Sequence, residues 1–467
     1  MRKLKKVVFA VLLLVFVSAC KEVSQKQEIV VKKKPNIIFI LTDDQRWDAL
    51  GFAGNPIIKT PNMDQLARSG LYFKNAFVTS PICAASRATI LTGLYERTHD
   101  FNFGKPKLNN GYMYESYPYL LKRAGYRTGF IGKFGIKVNE GIEDSLFDTS
   151  IKTFWPYLRM IDGKETHLAD INGDHAIDFI KSDTDEPFCL SLSFWSPHAD
   201  DGAEEQYFWP KYTDSLYVDN EIPVPGTADP AFFEALPEFM KHSMNRKRWY
   251  WRYDTPEKFQ KMVKGYYRMI STVDSVVGRL RTTLKEEGLA DNTVIIFMGD
   301  NGYYLGERGF AGKWLMHEQS LRVPLIIYDP RESKSKRGKT YEEMVLNLDI
   351  APTILDLAGV DIPEIYQGES LTSFYTDNIE EWRRSAFFEH QREGDTLLPK
   401  TECFRDEEWK FIRYEATPEF IELYNLNDDV NEVNNLALER KYKDLVSFYS
   451  KKCDSVIGKL MEQRIVN

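Results

Sequence analysis

Cysteine and histidine are scarce in this chain, five and seven among 467 residues, and no CxxC pair or other metal-type spacing occurs. That excludes a disulfide framework and gives no support to a thiolate-held metal. Basic residues are not in excess either: 61 Lys and Arg face 69 Asp and Glu, a formal charge of −8. Nucleic-acid binding is therefore not expected, because neutralising phosphates needs a basic face. An anionic substrate would have to be captured by local charge. There is no internal repeat, no low-complexity tract and no apolar run long enough to cross a bilayer. What is present, 43% hydrophobic, 28% charged and 13% aromatic residues, is the composition of a large soluble globular body.

The apolar run Val7 to Val17 follows Arg2, Lys3, Lys5 and Lys6 and leads into Ser18, Ala19 and Cys20. A basic start, a short apolar stretch and small residues read as a secretory signal over residues 1–19. Leu14-Val15-Phe16-Val17-Ser18-Ala19-Cys20 is similar to a bacterial lipobox. That implies lipidation of Cys20 and anchoring to a membrane of the bacterial cell envelope; an ordinary cleaved signal with an incidental Cys is the alternative. Removing the segment takes away four positive charges and no negative one, shifting the formal charge from −8 to −12. Residues 20–34, rich in Lys, Gln and Glu, read as a solvated tether. Cys189, inside Phe188-Cys189-Leu190-Ser191-Leu192, reads as core packing, while Cys403 and Cys453 are left as a pair that could bridge.

Short apolar runs predict buried strands at Asn36 to Leu41, Arg127 to Ile131, Phe188 to Phe194, Thr293 to Met298 and Val323 to Tyr328. Helical spacing lies between them, at Asp174 to Ile180 and Met262 to Leu284. This alternation predicts an α/β fold: a large, mainly parallel sheet sandwiched by helices over residues 35–370. From 371 to 467 the pattern turns to alternating aromatic stretches such as Trp409 to Tyr414. A small antiparallel subdomain is expected there, closed by a helix near Tyr442 to Met461.

The strand ends carry the chemistry. Asp43 and Asp44 follow the first strand, Lys133 the second, His198 the third, and Asp300 and Asn301 the fourth. Ligands in open α/β sheets bind at carboxyl strand ends, so these residues are expected to converge. Asp43, Asp44, Asp300 and Asn301 offer oxygen ligands only, which suits Ca²⁺ or Mg²⁺ and not Zn²⁺. The segment Pro81 to Gly93 reads as a loop entering a short helix that stops at Gly93. Cys83 would stand at the helix N-terminus, where N–H groups favour anions, with Arg87 on the same face.

Cys83-Ala84-Ala85-Ser86-Arg87 with Thr92-Gly93 resembles the signature of type I, formylglycine-dependent sulfatases of the alkaline phosphatase-like superfamily, although Ala85 stands where Pro is commoner. The resemblance extends through Leu41 to Gln45, Gly299 to Gly302, Gly312-Lys313, Arg322 to Ile326, Asp349 to Gly359 and Leu423 to Leu426, nearly the whole mature chain. It implies a sulfatase acting on a carbohydrate sulfate ester, such as oligosaccharides of an ulvan-type or glycosaminoglycan polymer. It also implies that a maturation enzyme oxidises Cys83 to formylglycine. The hydrated form attacks sulfur, and the covalent sulfate leaves as the aldehyde reforms. Cys83 and the four oxygen ligands would hold the cation. Arg87, Lys133 and Lys313 would offset charge on the sulfuryl oxygens, and His198 would protonate the leaving oxygen.

One departure stands out. Gly132-Lys133-Phe134-Gly135 lacks the histidine usual in the family at the position of Gly135, a candidate base; His317 is one candidate substitute. Substrate-binding candidates are Arg97, His99, His317 and Arg405, with Asp200, Arg308 and His390 behind them. Trp195, Trp209, Trp249 and Trp251 could stack on sugar rings. His242, Arg246, Lys247 and Arg248 read as a solvated face, and His167 and His175 as surface or helix-face residues. The rival readings are a phosphonate or phosphodiester hydrolase of the same superfamily and a non-catalytic glycan-binding lipoprotein.

Overall fold

Eight short segments line up into a single sheet because both of its faces are covered. A computed structural model of the chain describes residues 33–465 except 106, 183, 184, 393 and 395. The leader and Cys20, with the tether up to residue 32, lie outside the described residues. The strands are β1 (Asn36–Thr42), β2 (Leu71–Phe77), β3 (Arg127–Gly132), β4 (Thr149–Lys152), β5 (Phe188–Ser193), β6 (Thr293–Gly299), β7 (Leu325–Tyr328) and β8 (Lys339–Leu346). Their order is β8-β2-β7-β6-β1-β5-β3-β4. All neighbours are parallel except β7, which runs against β2 and β6.

In β1 every residue is buried, and the period of two divides them. Ile37, Phe39 and Leu41 join one core with Ile296 and Met298; Ile38 and Ile40 join the other with Ile295 and Phe297. On the first face pack α1 (Cys83–Thr92) and, later in the chain, the helix Ile350–Ala358; on the second pack α2 (Leu168–Lys181) and, after α3 (Met244–Arg252), the 31-residue α4 (Pro256–Glu286). α4 begins six residues before its expected start. Pro256 opens it, and the Thr255 hydroxyl caps it by accepting from the Lys258 N–H at 3.2 Å.

The five expected strands of the sheet are present, and three more were not expected. β4 and β8 are its edges, half-exposed and rich in polar residues, and β2 is interrupted by Lys74 and Asn75. An edge strand needs no continuous apolar run, so periodicity does not reveal it.

The C-terminal sheet is an antiparallel meander of β9 (Ser385–His390), β10 (Thr401–Asp406), β11 (Trp409–Tyr414) and β12 (Phe420–Asn425), with the helix α5 (Lys443–Glu462) against it. It starts at Ser385, whereas Leu371 and Phe374 belong to the core of the large sheet. The described residues from Lys34 onward make one unit. Cys403 and Cys453 are buried free thiols, so the pairing left open by the sequence is not made; Cys189 is buried as expected.

The small sheet is tied to the main body by a buried ammonium. Lys410 on β11 donates to Glu432 at 2.5 Å, to Glu318 at 2.7 Å and to the Met316 carbonyl at 3.2 Å. Removing one partner of such a cluster strands the other charges, at a cost of roughly 3–5 kcal/mol. Lys410→Met is therefore expected to lower the urea unfolding midpoint by that much stability, and adding Glu432→Gln to recover part of it. An unchanged midpoint in Lys410→Met would show that the cluster does not hold the sheet.

Candidate active site

Sheet register puts the predicted residues together. Thr42 pairs with Gly299, Leu41 with Ser193, and Ser193 with Gly132, so β1, β6, β5 and β3 end in one row. The next residues along are Asp43, Asp300 and Lys133. The turn after β1 holds Asp44 at φ +63°, a conformation Asp tolerates; its N–H donates to Asp300 Oδ1 at 3.3 Å.

α1 begins at Cys83 as its spacing predicted, and it stops at Gly93, whose left-handed φ of +65° lets its N–H reach the Thr89 carbonyl. All ten residues of α1 are buried, with Cys83 at the N-terminus. The Cys83 sulfur and carboxylate oxygens of Asp43 and Asp300 lie within 4.8 Å of one another.

Around this point stand three carboxylates and three cations, all buried. Arg87 donates to Asp300 Oδ2 at 2.8 Å and to the Lys133 carbonyl at 2.7 Å, bonds Ser193 Oγ, and lies 3.5 Å from Asp43. Lys133 bonds Asp43. Lys313 reaches Asp44 Oδ1 at 2.5 Å and Asp43 Oδ1 at 3.5 Å. The Asn245 side chain positions Lys313 by pairing with both its backbone N–H and carbonyl, at 3.1 and 2.7 Å. Burial alone would raise the Asp43 carboxyl, but Lys133, Lys313, His198 and Arg87 hold it well below the usual range. The Asp300 carboxyl is pushed up, first by burial and then by Asp43, with Arg87 opposing. Burial works against the Lys313 ammonium, yet Asp44, Cys83 and the other carboxylates raise it well above its ordinary value.

The Asn301 amide donates to Asp44 at 2.6 Å, while its oxygen, like Asp43 Oδ1, is buried without a hydrogen-bond partner. Orphaned buried oxygens among three carboxylates fit a hard divalent cation. One imidazole, His198 beside Asp43 and Asp44, and one thiol, Cys83 beside Asp43 and Asp300, stand against three carboxylates, a donor set dominated by oxygen.

His198 comes in beside them. Its Nδ1 faces the Ala199 carbonyl at 2.6 Å, and Nε2 lies 3.7 Å from Asp44. A carbonyl only accepts, so Nδ1 carries a proton and Nε2 of the neutral ring is a lone pair. Burial pulls this histidine down to about 4, against the raising effect of Asp44 and Asp43. Gly135 lies against Arg87: a Cβ there would come within 2.8 Å of Arg87 Cδ, at a φ of +71° that favours glycine. A histidine at this position would require the Arg87 stem to shift.

Cys83, Lys133, His198 and Lys313 line a cavity of about 700 Å³. The four expected substrate-binding residues do not line it. Arg97 is ion-paired to Glu389 and Glu402, each near 2.8 Å, at the junction with the small sheet. His99 is buried, bonded to the Thr89 hydroxyl and to the Phe101 N–H, and burial lowers it to about 3. His317 is enclosed between Tyr304, at 2.6 Å, and Glu422, so it does not substitute at Gly135. Arg405 pairs with Glu318 and covers the Phe77 ring. Arg308 is bound to the carbonyls of Asn431 and Glu432, and His390 is buried in β9. Asp200 stands outside the lining, whereas its neighbour Asp201 is in it.

Trp195 and Trp251 line the cavity; Trp209 and Trp249 do not. Missed altogether were Phe103, Phe154, Trp155 and Trp314. Arg248 was assigned to a solvated face but is buried and lines the cavity, while His242 is exposed as expected. His167 is also buried, capping α2.

Comparison with known proteins agrees with this geometry. Residues 306–459 match a family described as N-sulphoglucosamine sulphohydrolase, C-terminal. The chain is 28% identical to N-acetylglucosamine-6-O-sulfatase of Bacteroides thetaiotaomicron, over 90% of this chain and 85% of that one. It is 29% identical to an arylsulfatase of Clostridium perfringens, over 90% and 93%. A protein solved in complex with its substrate D-glucosamine-2-N,6-O-disulfate superposes with a TM-score of 0.76 at 25% identity, covering 92% of this chain and 98% of that one. A phosphonate monoester hydrolase from Silicibacter pomeroyi, 20% identical with a TM-score of 0.78 over 91% and 96%, shares the fold. Residues 35–360 match the family described as Sulfatase; the chain belongs to the sulfatase family and is a sulfuric ester hydrolase.

Proposed function

We propose that the chain removes sulfate from carbohydrate sulfate esters. Cys83 would act once a maturation enzyme has oxidised it to formylglycine, beside a calcium-like cation held by Asp43, Asp44, Asp300 and Asn301. The observation that carries this reading is the meeting of three buried cationic side chains with three buried carboxylates at Cys83, on the floor of an aromatic-walled cavity. Carbohydrate as the substrate class is supported by the sugar-sulfate relative and by the sugar disulfate bound in the similar structure. Location in the bacterial envelope, with Cys20 lipidated, is part of the proposal and rests on Leu14 to Cys20 alone.

When present, formylglycine supplies a hydroxyl nucleophile in its hydrated form and the cation supplies positive charge. This chain's own residues do the rest. The carboxylates balance Arg87, Lys133 and Lys313 one for one, so a bound divalent cation would leave the floor positive and able to take a sulfate monoester. Arg87 is fixed by four partners and needs no reorganisation as charge shifts on the sulfuryl oxygens. Lys133 and Lys313 offer N–H donors beside the carboxylates, one at Asp43 Oδ2 and the other at Asp44 Oδ1 and Asp43 Oδ1. His198 Nε2, a lone pair in the neutral ring, would have to take up a proton before giving it to the leaving oxygen, its other nitrogen being locked on Ala199.

In the matured protein, residue 83 should be about 18 Da lighter than cysteine by intact-mass analysis. Sulfate release from sulfated sugars should exceed phosphate release from the matching phosphate esters. Cys83→Ala should bind substrate while losing turnover by about three orders of magnitude or more. Full turnover in Cys83→Ala, or phosphate preferred over sulfate, would contradict the assignment.

Cation binding has its own readout. After chelation, Ca²⁺ or Mg²⁺ should raise the melting temperature, because a ligand of the folded state stabilises by mass action. Asp300→Asn should shrink that rise, and Zn²⁺ should not reproduce it. A melting temperature indifferent to both hard cations would remove the cation from the proposal.

A further inference from the structure

Exposed tryptophan is uncommon on a protein surface, and here it is concentrated at one place. Of nine tryptophans, Trp155 and Trp251 are the exposed ones, at 38% and 40%, and both line the cavity above Cys83. Phe103 and Phe154, 38% and 59% exposed, line it too. Phe154 and Trp155 are chain neighbours, while Phe103 and Trp251 come from two other segments, so only the fold brings the three segments together.

Two walls can be traced. On one, Lys133 Nζ sits 4.5 Å from the Trp195 ring, Trp195 lies 4.9 Å from Trp155, and Trp155 is 5.9 Å from the His198 ring. This aromatic row leads from the ionic floor to solvent. On the other, Met244, Arg248 and Trp251 are spaced four and three apart on α3 and so share one face of that helix. Between Arg248 and Arg252 the Asp201 carboxylate is pinned: Arg248 donates to Oδ2 at 2.5 and 3.1 Å, and Arg252 bonds Oδ1. Asp201 remains about one-third exposed into the cavity.

We propose that this rim is a second sugar subsite, which holds the ring next to the sulfated one and makes the chain selective for oligosaccharides over single sugars. The proposal rests on the carbohydrate reading above and names the part of the substrate that the floor does not touch. A pyranose presents apolar C–H faces and a belt of hydroxyls. Its faces fit flat aromatic side chains, and vicinal hydroxyls donate to a carboxylate held rigid by two guanidiniums. A bilayer surface or a plain aryl group would gain nothing from Asp201. The Asp201 charge is offset by Arg248 and Arg252, and Lys137, Lys152 and Arg392 also line the cavity, so Asp201 serves as a hydroxyl acceptor and does not set the charge of the rim. The occupant is therefore a hydroxylated ring joined to the sulfated sugar.

The test uses the full mature protein, a sulfated monosaccharide, the disaccharide that extends it, and the same disaccharide without sulfate. The kcat/KM ratio of disaccharide to monosaccharide should be well above one. Trp251→Ala and Trp155→Ala should each lower it about tenfold, chiefly through KM, while Trp251→Phe keeps most of it. A binding arm in Cys83→Ala avoids turnover. The unsulfated disaccharide should bind more tightly than the unsulfated monosaccharide, and Trp251→Ala should erase the difference. Failure of every sulfate ester to turn over, with that binding difference intact, would overturn the sulfatase reading for this site and leave the sugar rim standing. Ratios near one in the wild type, or ratios unmoved by the tryptophan variants, overturn the rim.

Discussion

Charge burial is the constraint around which the molecule is arranged. Asp43, Asp44 and Asp300 have been taken out of water, and a bare carboxylate in that setting is costly unless it is paired and hydrogen-bonded. Arg87, Lys133 and Lys313 meet that demand, and each reaches the cluster from a different element: a helix, a strand end and a loop. The parallel sheet is what makes the meeting geometrically available, because its register ends the contributing strands in one row. The same low-dielectric setting that makes the charges costly strengthens their pull on an anion entering the cavity.

The floor of this site was legible in the sequence and its walls were not. Asp43, Lys133 and Asp300 follow their strands directly and His198 lies a short turn beyond its own, so strand prediction and the rule of carboxyl ends locate them together. Cys83 and Arg87 announce themselves by a helix that stops at a glycine. The walls come from residues with no such signal. Trp155 sits in the aromatic stretch Phe154-Trp155-Pro156-Tyr157, which has neither strand nor helix period, and Arg248 lies in a run of basic residues where only the folded helix shows which side turns inward. Asp200 and Asp201 are adjacent and chemically identical, and a shift of one residue separates a loop acidic group from the carboxylate in the cavity.

The expected substrate residues that stand outside the cavity lining share a cause. Arg97, His317 and Arg405 belong to the seam between the two sheets, where Glu389, Glu402, Glu422 and Glu318 partner them. A seam needs the same polar residue types as a binding pocket, because both desolvate charge. Only long-range pairing tells them apart, and a single sequence carries no record of it. The edge strands were missed for a related reason: half-exposed segments need only half a hydrophobic pattern.

Gly135 makes its own contribution by what it does not occupy. The aliphatic stem of Arg87 runs through the volume that any larger residue at position 135 would claim. A side chain there would press on Arg87 Cδ, and the stem that carries the guanidinium would have to move aside. Position 135 and the present course of Arg87 compete for one space, so a substitution there would act first on the guanidinium that faces the carboxylates.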